Sequence, residues 1–141
     1  MSKSPTLGFT KAAAALLLLS AFSSAPAKDV AVNLTGDQEV PPVTTTATGA
    51  GTISIGQDKS VKGTIRTTGI QGTVAHIHLA SPGKNGPPII TLVKSGDNMW
   101  MVPDGSKLTD DQYKSFENGD LYVNVHSDAH KGGEIRTQLK P

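Results

Sequence analysis

All four histidines of this 141-residue chain fall in two short segments, His76 and His78 in VAHIHLA and His126 and His130 in LYVNVHSDAHKGG. An H-x-H pair on a β-strand sends both imidazoles to one face, with Cβ atoms about 7 Å apart and rings long enough to meet around one ion. Imidazole nitrogen suits copper, zinc, nickel and iron, and copper heads the divalent affinity order. His126 would be the third donor that turns a pair into a site. His130 is a fourth candidate whose loop position fixes no direction. The chain has no cysteine, which excludes a blue-copper centre, a thiolate zinc site, an iron–sulfur cluster and a cysteine nucleophile. The residues leave two accounts open. One is a shared metal site, with copper first and zinc as the alternative. The other is a metal-free hydrogen-bonded patch that organises the loop SPGKNGPP and the turn after His126.

These side chains need strands to aim them, and the sequence supplies strands. Alternation or β-branched enrichment marks 29–34, 50–55, 61–67, 74–80, 89–93, 120–126 and 133–139, with a further short strand around Trp100. Gly56 to Ser60 reads as a hairpin loop, and SPGKNGPP at 81–88 is the strongest loop signal. Pro41 and Pro42 remove two successive backbone donors, so their segment is an edge or a connection. One helix is expected at 109–117, where Thr109 and Gln112 form a capping-box pattern ahead of Tyr113 and Phe116, and Gly119 stops it. About eight short strands without βαβ spacing mean an all-β sandwich or barrel.

Strand period then assigns faces. His76 and His78 oppose Ala75, Ile77 and Leu79; Tyr122, Asn124 and His126 oppose Leu121, Val123 and Val125; Glu134, Arg136 and Gln138 lie outside a core containing Ile135 and Leu139. Three strands thus offer one polar face each, on which the histidines converge if the strands share a sheet. Glu134 and Arg136 read as an ion-pair network with each other or with Glu39 and Arg66. Asp128 reads as a solvated turn residue, with a role as acceptor for an imidazole as the rival reading. Met99 and Met101 read as core or loop filler. No G-x-S-x-G elbow and no phosphate-binding glycine loop occur.

Residues 1–27 read as a secretory leader: Lys3 and Lys11 precede the apolar run AAAALLLLSAF, and Ala25-Pro26-Ala27 marks cleavage after Ala27. That run is too short to span a bilayer. The expected product is one domain, 28–141, in the periplasm or outside the cell, with no membrane span. Taking Lys3 and Lys11 from 13 basic residues against 12 acidic ones turns the net charge from +1 to −1, and no basic stripe exists for nucleic acid.

Together LTGDQEVPPV, AHIH followed by GKNGP, GDLYVNVHS and GGEIRTQL resemble the CHRD domain, a module named after chordin and also found alone in exported bacterial proteins. Thr137 stands where the family often has Gly, and Lys131 where Pro is frequent. The resemblance implies an immunoglobulin-like or Cu,Zn superoxide dismutase-like Greek-key β-sandwich with one short helix. His76, His78 and His126 are similar in arrangement to that enzyme's copper ligands. The chain shows no separate zinc loop rich in His and Asp, and no cysteine for the enzyme's disulfide. The expectation is therefore an exported metal-binding domain for copper sequestration or handling, whose partner is the metal ion. A metal-free adhesion module that binds an envelope or extracellular protein is the alternative, and a copper-dependent redox enzyme comes third.

Overall fold

A computed structural model describes residues 26–141, together with Met1 and Ser4. The leader assigned to 1–27 lies outside the described residues except for Met1, Ser4, Pro26 and Ala27. Among the described residues eight strands form, β1 (Lys28–Thr35), β2 (Thr48–Ile55), β3 (Val61–Thr68), β4 (Gly72–Leu79), β5 (Pro88–Lys94), β6 (Met99–Met101), β7 (Leu121–Ser127) and β8 (Ile135–Leu139). A single 3₁₀ turn, Gly36–Gln38, follows β1, and helix α1 spans Asp110–Glu117. The strands lie in the order β1-β2-β3-β6-β5-β4-β7-β8, antiparallel throughout. This is the expected Greek-key arrangement, since β3 lies beside β6 rather than β4, and β7 returns to pair with β4. The sheet closes as a barrel through one residue pair, Thr35 with Arg136.

The alternation of apolar residues builds the interior. Val32, Leu34, Ile53, Ile65, Ile77, Val123 and Ile135 are each no more than 1% exposed, and Trp100 of β6 joins them. The core is thus mostly aliphatic, with the rings of Trp100 and Phe116, as the composition requires. Helix α1 starts with the predicted capping box: the Thr109 side chain accepts from the Gln112 amide and the Gln112 side chain accepts from the Thr109 amide. It buries Phe116 into the core cluster, and this contact stabilises a helix of only eight residues.

One expectation changes. The polar faces of β7 and β8 lie outside the barrel but are not open to water. Every residue of β7 is buried, and Arg136 is 2% exposed. Two connections cover this face, the segment 36–47 and the loop 80–87. Asn85 donates to the Val40 carbonyl, which joins the two coverings to each other, and Arg136 donates to Asn85 and to the Lys84 carbonyl. Strand periodicity reports which way a side chain points and not what lies above it. The methionines also move from the expected filler role: Met101 is 37% exposed on β6 and Met99 is half-buried.

Candidate metal centre

β4 and β7 are neighbours, and their register sets His76 opposite Asn124 and His78 opposite Tyr122. The same regular register sets His126 opposite Val74, one diagonal step from His76, and slips only beyond it, between Val74 and Gly72. His76, His78 and His126 therefore share the outer face, each offering a ligand nitrogen within 4.8 Å of the others. Their ring centroids are 5.2, 5.0 and 6.0 Å apart. His78 and His126 are buried and His76 is half-exposed, so the group opens to the surface at His76.

Backbone carbonyls fix the tautomers. His78 Nδ1 lies 2.9 Å from the Gly86 carbonyl and His126 Nδ1 lies 2.8 Å from the Lys131 carbonyl. A carbonyl only accepts, so each Nδ1 carries the proton and each Nε2 keeps a lone pair. His76 Nδ1 sits 3.1 Å from His126 Nε2. In the metal-free protein it donates there, and its own Nε2 can take the proton when a cation claims Nδ1. Burial pulls the His76 and His78 imidazoles below the ordinary value, and the neighbouring rings add to the effect at His76. Both changes favour the neutral, ligating form.

The surroundings hold His78 most firmly. Its ring stacks on Tyr122 at 4.6 Å with 2° between planes, and the Arg136 guanidinium lies 3.4 Å from the centroid of the same Tyr122 ring. Gly86, whose carbonyl holds His78, also donates its amide to the Tyr122 hydroxyl. A Cβ on Gly86 would come within 1.8 Å of the Leu79 carbonyl, so the loop can approach β4 this closely only with glycine there.

A polar network that the sequence reading did not anticipate adjoins the histidines. Asn124 donates to Glu39 Oε1 at 3.3 Å, and both residues are buried. Burial pushes the Glu39 carboxyl up, against the Asn124 hydrogen bond and the Arg136 charge that pull it down. Gly133, at φ 124°, lies beneath the pair; a Cβ there would stand 2.3 Å from Glu39 Oε1 and 2.4 Å from Asn124 Nδ2. The signal was present in the text EVPP, NVH and GGE, but only the fold shows that the three stretches meet.

The remaining candidates fall elsewhere. The three-residue group does not include His130. His130 exchanges backbone hydrogen bonds with Ser127 and forms part of a 690 Å³ groove with Pro41, Pro42 and Gly132. Asp128 is exposed, and the Lys131 carbonyl orients His126 instead. The Glu134–Arg136 ion-pair network does not form. Glu134 accepts from Thr45 and Ser127 while Arg136 is satisfied by the covering loop, and the ion pair among the described residues is Lys59 with Asp110.

The donor set fits a cation. His78 Nε2 and Asn124 Oδ1 are buried atoms without a hydrogen-bond partner. A buried imidazole lone pair with no donor is costly, and a positive ion at His78 Nε2 relieves it.

Fold and site together define an antiparallel Greek-key barrel with a surface-accessible three-histidine group, able to hold a metal ion, on the outside of the barrel. The model of the CHRD domain matches residues 30–139, and the chain belongs to that family. No curated protein and no solved structure matches the chain at the significance required. Among the described residues no helix is long and apolar enough to cross a membrane.

Proposed function

We propose that this protein is an exported copper-binding domain that sequesters or hands on copper outside the cytoplasm. The observation that carries the reading is the convergence of three imidazoles, two of them tied at Nδ1 so that Nε2 faces the group. An all-imidazole set without thiolate or carboxylate supports copper over magnesium or calcium, and copper over zinc by intrinsic affinity. The basic and apolar leader pattern at 1–27 supports export. A bound copper ion would supply a Lewis-acidic, redox-active centre; the role proposed for the protein is binding rather than catalysis. The His76–His126 hydrogen bond favours the rival reading, a metal-free module whose polar face supports an adhesion surface for an envelope or extracellular protein.

Isothermal titration of the untagged, metal-stripped protein separates the two. About one equivalent of Cu(II) should bind, more tightly than Zn(II), and His76→Ala/His78→Ala should abolish binding while the β-type circular dichroism persists. His130→Ala should change the affinity little. Unchanged stoichiometry and affinity in the folded double variant would defeat the assignment.

A further inference from the structure

Asn124 is 1% exposed, stands directly opposite His76 and sits between Tyr122 and His126 on the face that carries the histidines. Its amide is held at one end only. Nδ2 donates to Glu39 Oε1, and Oδ1 is buried with no partner. Glu39 determines which end of the amide is left free. A carboxylate oxygen accepts from NH₂ and repels an amide oxygen, so the amide turns its oxygen away from Glu39. Glu39 is itself anchored through its backbone amide to the Gly36 carbonyl and faces the Arg136 charge, and Gly133 leaves the space the pair occupies.

From this placement we infer that Asn124 Oδ1 selects the exogenous ligand that joins His76, His78 and His126 on a bound cation, favouring a small molecule whose donor atom carries N–H or O–H. The inference rests on the metal-binding reading above. Such a ligand donates to Oδ1 and satisfies it. A ligand that is only an acceptor, such as azide, brings a second set of lone pairs against Oδ1 and leaves it unpaired in a buried place. Discrimination of this kind is strong because the cost falls on the site as well as on the ligand. Glu39 acts as a positioning residue, since it touches neither the cation nor the ligand.

The test compares azide with ammonia on the untagged protein loaded with one equivalent of Cu(II), at one fixed pH, followed by the azide-to-copper charge-transfer band and by electron paramagnetic resonance. Asn124→Leu should raise the azide-to-ammonia affinity ratio about tenfold, the worth of one hydrogen bond to a buried acceptor. Glu39→Gln should shift the ratio in the same direction, because the introduced carboxamide can donate its own NH₂ to Oδ1 and turn the Asn124 amide around. That variant keeps the shape of the side chain, so it decides the matter if the leucine variant fails to fold. A ratio unchanged in the folded variants overturns the inference while leaving copper binding intact. Copper affinity lost in folded Asn124→Leu also overturns it, by making Asn124 a ligand. No copper uptake by the parent protein overturns the inference together with the reading on which it rests.

Discussion

At the scale of single residues, the site is organised by where protons sit. The Gly86 and Lys131 carbonyls each hold one imidazole N–H, and burial keeps His76 and His78 neutral. This has a consequence for the metal-free protein. An imidazole whose value is lowered on folding binds fewer protons in the native state than in the unfolded one. Its stabilising contribution is full above the ordinary value near 6.5 and is lost as pH falls through the lowered native one. Thermal melts of metal-free protein should therefore show Tm level above about pH 6.5 and falling below it. The fall should be shallower in His76→Gln/His78→Gln. Glu39, pushed up by burial, titrates with the opposite sign but is common to both proteins, so the difference between the two melts isolates the histidines. Equal pH dependence in the two proteins would contradict the assignment of neutral buried imidazoles.

At the scale of elements, the loop 80–87 is as much part of the centre as the strands. Its Gly86 carbonyl orients His78, its Gly86 amide meets Tyr122, and its Asn85 ties Arg136 to the Val40 carbonyl of the second covering segment. A methyl group at Gly86 cannot fit against the Leu79 carbonyl without moving the loop. Gly86→Ala should destabilise the fold by about 1–3 kcal/mol, in the range of overpacking substitutions. It should also weaken Cu(II) binding, although all three histidines remain. Chemical denaturation and titration of the same preparation check both effects, and copper affinity equal to that of the parent would remove the loop from the account.

At the scale of the whole molecule, the barrel is ordinary and the chemistry is external to it. Inner faces pack a cysteine-free aliphatic core, and the outer face of β4, β7 and β8 is roofed by two loops. The single Thr35–Arg136 pair closes the sheet directly beneath that roof, so Arg136 belongs both to the closure and to the Tyr122–His78 stack. The proposed export is the whole-chain property that makes extracytoplasmic copper handling coherent. The intact mass and N-terminal sequence of secreted protein should show a chain that begins at Lys28. A stable secreted product that retains residues 1–27 would refute the leader.

What the sequence by itself determined is direction. Period-two alternation put His76 and His78 on one face and His126 on the corresponding face of another strand, and Thr109 with Gln112 announced helix α1. These are local consequences of strand pleat and helix capping, set by residues close together in the chain. Tertiary structure decided adjacency and cover. That β7 pairs with β4, that their register sets His126 one step from His76, and that Glu39 reaches Asn124 across 85 positions depend on long-range pairing and loop docking. The same docking buried Arg136, which by alternation alone is an outward-facing cation. A side chain's own sequence neighbourhood carries no record of which distant segment will close over it, and here that distant segment sets the protonation, the orientation and the access of the centre.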